Sequence, residues 1–308
     1  MRAGFVKGGV FRRQPLFPSR ELLAKPVENV VSFRTGPILR GDFLSLSIHP
    51  IIMKRTIFPF LTCVLSFGLC SAFLSAKEEK TLNGLMVTGG CCHDYKNQKN
   101  IISEGVSKRL KVKWEIFFEM NQEKSKAHLS KKGWADKADF IVWNHCFANE
   151  TDSKFVDSLA AIHEAGKPGI ALHCAMHSYH WRIKPAEGKK ENTWPSMLGV
   201  YSKGHGPKRK IVVSKAKGQE KHPILKDMPE GWTTPEGELY NTQRILGATV
   251  LAYGNNGVAK EPQAVIWTNE HGKGRIFSTT IGHHNSTMST KEYLDLVANG
   301  VRWANRLD

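Results

Sequence analysis

Residues 169–180 read GIALHCAMHSYH: Gly169 to Leu172 are small or apolar, and His173, Cys174, His177 and His180 follow. A short run with no polar residue suits a strand covered on both faces, as in a parallel sheet. This run ends on a histidine, and the pattern recurs. LNGLMVTGGCCHDY (82–95) places His93 and Asp94 after an apolar run, and DFIVWNHC (139–146) places His145 after another. GRIFSTTIGHH (274–284) ends on His283 and His284. In an open parallel α/β sheet the strand carboxyl ends share one edge, and ligands bind in the crevice there. Histidines far apart in sequence are therefore expected to converge on one site.

The stretches between these runs fit the same sheet. Residues 82–88 read as a first strand closed by Gly89-Gly90, and 97–110 as a helix through Ile101, Ile102, Val106 and Leu110. Residues 112–118 and 140–143 are the next strands. Asp152 is an N-cap for a helix through Phe155, Leu159 and Ile162 that Gly166 stops, and 168–172 is a fourth strand. Strand, helix, strand, strand, helix, strand predicts a doubly wound, mostly parallel α/β sheet. Residues 182–208 are loop-rich and suit a lid or rim. Later strands are expected at 210–213, 249–253, 264–267 and 275–279, and a closing amphipathic helix at 291–305. No internal repeat or linker divides 77–308, which reads as one domain.

The first 76 residues read differently. Residues 1–52 are basic and aperiodic, which suits an upstream start chosen in error or a disordered arm. From Met53 the order is Lys54-Arg55, an apolar run from Ile57 to Leu69, then small residues up to Ala76. That is the layout of a secretory signal peptide over 53–76, shorter than the ~20 residues of a membrane span. The expectation is an exported protein, periplasmic or extracellular, with no stable membrane span after processing. The formal charge of +16 falls to +9 over 77–308, which hold 34 Lys and Arg against 25 Asp and Glu. No helix-turn-helix, zinc finger or RNP-like stretch accompanies that charge, so no nucleic-acid partner is expected. GxxxxGK[ST] is absent and no GxGxxG follows the first strand, so no nucleotide cofactor is expected. Cys91, Cys92, Cys146 and Cys174 all stand at predicted strand ends; an oxidising compartment permits disulfides whose pairing the sequence leaves open.

LHCAMHSYH (172–180), GHGP (204–207), HPILKDMP (222–229), WTTPEGELYN (232–241), HGKGRIFSTTIGHHNST (271–287) and NGVRWA (299–304) together resemble the ThuA-like, or trehalose-utilisation, family. The resemblance covers roughly 82–307. It implies a flavodoxin-like sheet of the class I glutamine amidotransferase type and a role in carbohydrate metabolism, with disaccharides and their keto-sugar derivatives. Residue by residue, His93 and Asp94 match the pair after the first strand, and His173 the histidine where amidotransferases bear their nucleophile elbow. His205 matches the later Gly-His, Glu238 to Tyr240 the acidic-Leu-Tyr motif, and His283 the last Gly-His. His180-Trp181 stands where the family pattern leads one to expect an arginine.

Two chemistries suit these residues. Imidazoles with a carboxylate can hold Zn, Ni or Fe, with His93, His173, His205 and His283 as ligands. The same imidazoles with Glu238 can instead move protons directly, as removing a proton beside a keto group requires. The working set is His93, His173, Glu238 and His283, with Asp94, His177, His180 and Tyr240 toward a small carbohydrate substrate. His145 is expected to line the pocket. A non-catalytic sugar-binding protein is the competing class. A third reading is an amidase or hydrolase using Cys174, whose thiol a helix N-terminus would acidify; the glycines of a Gly-x-Cys-x-Gly elbow are missing. Trp194, Trp232, Trp267 and Tyr240 offer sugar-stacking faces or core. A homo-oligomer is compatible with all of this.

Overall fold

Alternate residues of each central strand point to opposite faces, and both faces are buried. The computed structural model describes residues 80–242 and 244–308; the expected leader at 53–76 and the segment 1–52 lie outside the described residues. In β1 (Leu82–Gly90), Leu82 and Met86 enter one apolar cluster, while Leu85 and Val87 enter a second on the other face. β2 (Val112–Glu119) follows. In β3 (Phe140–Cys146), Phe140 and Val142 face the first cluster and Ile141 and Trp143 the second; Ile170 and Ala171 of β4 (Gly169–Leu172) divide likewise. This two-sided burial is why these strands read as unbroken apolar runs.

Six short strands come next, β5 (Val200–Tyr201), β6 (His205–Lys208), β7 (Val212–Lys215), β8 (Trp232–Thr233), β9 (Glu238–Tyr240) and β10 (Arg244–Ile245), followed by the longer β11 (Thr249–Asn255). The last two are β12 (Gln263–His271) and β13 (Gly274–Thr279). The nine-stranded sheet runs β2-β1-β3-β4-β13-β12-β11-β7-β8. From β2 to β13 every pairing is parallel, and from β13 outward every pairing is antiparallel. The change of sense has a local cause. Only Gly272 and Lys273 separate β12 from β13, and a two-residue loop can join only antiparallel neighbours. Thus HGKGR is a hairpin turn.

Helices cover both faces. α1 (Tyr95–Ser107) and α6 (Lys291–Ala304) lie over the first cluster, α3 (Ser153–Glu164) and α4 (Thr193–Leu198) over the second; α2 (Gln122–Leu129) and α5 (Asn285–Met288) are short. The α3 cap is as expected, with Asp152 accepting from the Phe155 amide at 3.1 Å. α6 comes so close to β13 that a Cβ on Gly300 would overlap the Phe277 ring. The segment 182–208 is not simply a rim. Its centre forms α4, capped by Asn192, and buries Trp194, Met197 and Leu198. Trp194 and Trp267 are fully buried, and their indole N–H groups donate to the Ala175 and Leu198 carbonyls, so both are core. Among the described residues no helix is long and apolar enough to cross a membrane.

Candidate functional site

The parallel half of the sheet delivers three histidines to one edge. β1 ends at Gly90, whose φ of 88° and contact with the Cys146 backbone leave no room for a side chain. The chain turns there through Cys91 and Cys92, and Asp94 starts α1 by accepting from the Asn97 amide. His93 is held between these two constraints. At the end of β4 the backbone breaks sharply: His173 sits at φ 44°, the left-handed region, and opens a five-residue 3-10 turn. His283 follows β13 after Gly282.

The three rings meet edge to face, with centroids 4.8 Å apart for His93 and His173, 4.7 Å for His93 and His283, and 5.4 Å for His173 and His283. One nitrogen from each lies within 4.8 Å of the others. His173 Nδ1 is 2.5 Å from the Thr280 carbonyl and must donate to it. In the neutral ring this fixes the tautomer and leaves the lone pair on Nε2. Facing Nε2 are the Tyr240 hydroxyl at 3.2 Å and Glu238 Oε2 at 3.6 Å. Glu238, 5% exposed on β9, also reaches His205 Nδ1 at 3.2 Å and His283 Nε2 at 3.6 Å with Oε1. A neutral Nε2 and a carboxylate are both acceptors, so their approach calls for a proton or a cation between them. The Nδ1 atoms of His93 and His283 are buried without a partner. The donor set of three imidazoles, with Glu238 beside two of them, fits a divalent transition metal.

Electrostatics divides the cluster. Burial raises the Glu238 carboxyl, but the His173 hydrogen bond and the imidazoles around it outweigh that and lower it, so it is ionised at neutral pH. Burial, then the neighbouring His173, pushes His283 far below the ordinary imidazole range. These two directions conflict if His283 is counted as a cation for Glu238. The burial of His283 decides the matter: it is neutral and adds no cationic charge beside Glu238. A cleft of about 560 Å³ opens above His93 and His283 and is lined by Cys92, Asp94, Glu236 and His284 among others.

The remaining expected residues separate into those at this cleft and those behind it. Asp94 lies at its rim, exposed and bound by Asn285 at 2.7 Å. His205 is 44% exposed and stands beside Glu238, outside the three-ring cluster. Tyr240 is buried and joins the site through its hydroxyl. His177 is also buried: its ring stacks on Tyr240 at 4.0 Å, and Nε2 meets the Ser202 hydroxyl at 2.8 Å. Burial, then His173, pushes it down to about 2, so it stays neutral. His180 is buried with Nε2 3.0 Å from the Ser202 carbonyl. Both rings are engaged by Ser202, which leaves them behind the cleft rather than open to a substrate. His145 is fully buried, with Nδ1 on the Ser178 hydroxyl at 2.8 Å, and does not line the cleft. Cys174 is the second residue of the 3-10 turn and does not open an α-helix; its contact with Cys146 and its burial push the thiol up, so it does not present the ready thiolate that an amidase needs for its substrate.

Sequence reasoning missed Glu236 and overlooked the role of His284. Both line the cleft, and Ser286 ties Glu236 at 2.5 Å. The signal was present as Glu236-Gly237-Glu238, in which alternate residues of a strand-like run share a side.

The family model for ThuA, described as trehalose utilisation, matches residues 85–304. No curated protein matches the chain. Among solved structures the chain is similar to a ThuA-like protein from Parabacteroides merdae, at 15% identity and a TM-score of 0.60, covering 73% of this chain and 90% of that one. It is also similar to a ThuA-like protein from Bacteroides uniformis, at 14% identity and a TM-score of 0.54, covering 74% and 92%. At such identities these two structures speak for the fold.

Proposed function

We propose a carbohydrate-directed function, on the premise that the chain belongs to the ThuA family, trehalose utilisation. The reading is a sugar-modifying protein that takes a disaccharide or keto-sugar derivative at the cleft over His93 and His283. The observation that carries it is the convergence of three imidazoles, two of which, His173 and His283, face the buried carboxylate of Glu238.

His93, His173 and His283 would hold a divalent transition metal, Zn, Ni or Fe. Such a metal, when bound, supplies a Lewis acid that polarises a carbonyl or hydroxyl oxygen. Glu238 is the proton acceptor, because its carboxylate is ionised yet desolvated and points at the same place. His205, exposed at 3.2 Å from Glu238, passes that proton to solvent. Thr280 fixes the His173 ring from behind through Nδ1, which leaves Nε2 free to face the site beside the Tyr240 hydroxyl. Trp181, 48% exposed and 4.7 Å from the His177 ring, offers an aromatic face for a sugar ring outside the cluster. The leader expected at 53–76 goes with a role outside the cytoplasm, which N-terminal sequencing of the exported protein would test.

The function is tested by offering disaccharides and keto-disaccharides to the protein with and without added Zn, Ni or Fe, and to Glu238→Gln. The account expects metal-dependent turnover that falls about 100-fold or more in Glu238→Gln. Turnover indifferent to chelators but abolished in Glu238→Gln would favour direct acid–base chemistry. A sugar-induced rise in melting temperature without any turnover would mark a binding protein.

A further inference from the structure

Cysteines stand at one level across three adjacent strands. Cys146 is in register with Gly90, and the Cys91 amide donates to the Cys146 carbonyl at 3.2 Å. On its other side, β3 pairs with β4 as Trp143 with Ala171, so three residues further on Cys146 comes beside Cys174. The sulfurs follow the backbone: Cys91 Sγ is 3.7 Å from Cys146 Sγ, which is 2.6 Å from Cys174 Sγ. Cys91 and Cys92 are exposed and joined by a disulfide; Cys146 and Cys174 are free and buried.

Two chemistries can follow from clustered thiols. Two thiolates on one tetrahedral zinc stand roughly 3.8 Å apart, given Zn–S bonds of about 2.3 Å. Cys146 and Cys174 are too close for that, and nearer to the ~2.05 Å of a covalent S–S bond. Neighbouring parallel strands, ~4.8 Å apart, also bring the Cα atoms within the range a disulfide spans. Exchange chemistry is favoured over a soft metal.

We propose that Cys91, Cys92, Cys146 and Cys174 form a thiol–disulfide exchange site, in which one disulfide moves between the exposed pair Cys91–Cys92 and the buried pair Cys146–Cys174. Cys146 sulfur attacks Cys91 sulfur; the Cys91–Cys92 bond breaks, and Cys92 leaves as a thiol carrying the proton that Cys146 gives up. Cys174 then attacks Cys146, a Cys146–Cys174 bond forms, and Cys91 is released with the second proton. One disulfide and two thiols exist before and after, so no outside oxidant is needed. The exposed pair is the port through which a small dithiol reductant would enter, leaving as its own disulfide while two cysteines are reduced. The exchange bears on the histidine cluster through the backbone. Cys92, at φ 83°, immediately precedes His93, and Cys174 immediately follows His173.

The test is a disulfide map of the full chain, equilibrated in glutathione buffers of several redox poises, quenched with N-ethylmaleimide and digested unreduced with trypsin. Cys91 and Cys92 share one tryptic peptide, whereas Cys146 and Cys174 fall in two others. The expected map contains both the bond within the first peptide and the cross-link between the other two. In Cys92→Ser the cross-link becomes the sole disulfide of this cluster. Cys146 and Cys174 fully labelled by maleimide at every poise would overturn the proposal, as would four free thiols releasing stoichiometric metal to a chelator. The wild-type map decides the matter alone, so a variant that fails to fold leaves the test intact.

Discussion

At the scale of single residues, strand parity separates site from scaffold. His145 shares parity with Ile141 and Trp143, which face the second apolar cluster, and its ring is buried with them. His173 would share the parity of Ala171, but the chain has left the strand at φ 44°, and the ring swings to the edge instead. His93, His173 and His283 were therefore legible in the sequence as residues beyond strand ends. Glu238 and His205 were not legible from periodicity, because β6 and β9 form a separate two-stranded ribbon; only the family motif pointed to them. His177 and His180 rest against Ser202, a capture that nothing local in LHCAMHSYH foretells. Trp181 gives a prediction at this scale. If it stacks on substrate without touching the reacting atoms, Trp181→Ala raises KM about tenfold, a loss of ~1.4 kcal/mol, and leaves kcat unchanged. A kcat loss at constant KM in steady-state kinetics would contradict that role.

At the scale of elements, the buried imidazole of His163 ties α3 to β3. It accepts from the Trp143 indole N–H at 2.9 Å and donates through Nδ1 to the Lys167 carbonyl at 2.7 Å. Burial lowers its pKa from 6.5 to about 4. Between these values the unfolded chain binds a proton that the folded chain refuses. The contribution is therefore complete above about pH 6.5 and is lost as the pH falls toward 4, a change on the order of 3 kcal/mol. Urea midpoints measured from pH 7.5 to 4 will show that decline, and His163→Gln, which keeps a donor and an acceptor, will flatten it; an unchanged slope would contradict the assignment. Gly300 offers the second test. A helical Gly→Ala change usually stabilises by about 1 kcal/mol, but here the methyl group meets the Phe277 ring. Gly300→Ala is expected to destabilise by about 1–3 kcal/mol in chemical denaturation.

The elements themselves were readable where apolar periodicity was strong, and α2 shows the limit. QEKSKAHL buries only Ser125 and Leu129, so no apolar stripe announces it; Asn121 caps it by accepting from the Lys124 amide at 3.0 Å. The antiparallel turn of the late strands was concealed in a different way. Gly272 and Lys273 fix the sense of β13 against β12, and the link carries that instruction in its length alone.

At the scale of the whole molecule, the sheet order explains why one edge is reactive. β1 and β3 are neighbours at the point where the winding reverses, and β4 and β13 extend the same carboxyl edge. Chemistry therefore collects there, histidines over β1, β4 and β13 and cysteines over β1, β3 and β4. A metal joining residues from three segments binds the folded chain and not the unfolded one. At 100 times its dissociation constant it is expected to stabilise by ~2.7 kcal/mol, a rise of several degrees in Tm by calorimetry.

The most direct measurement is equilibrium dialysis of Zn, Ni and Fe(II) against the wild-type protein and His283→Ala. The account predicts one ion per wild-type chain and affinity at least 10-fold weaker in the variant, with His173→Ala behaving alike. A wild-type chain that takes up none of the three, or a variant that binds as tightly as wild type, would contradict the proposed three-histidine centre.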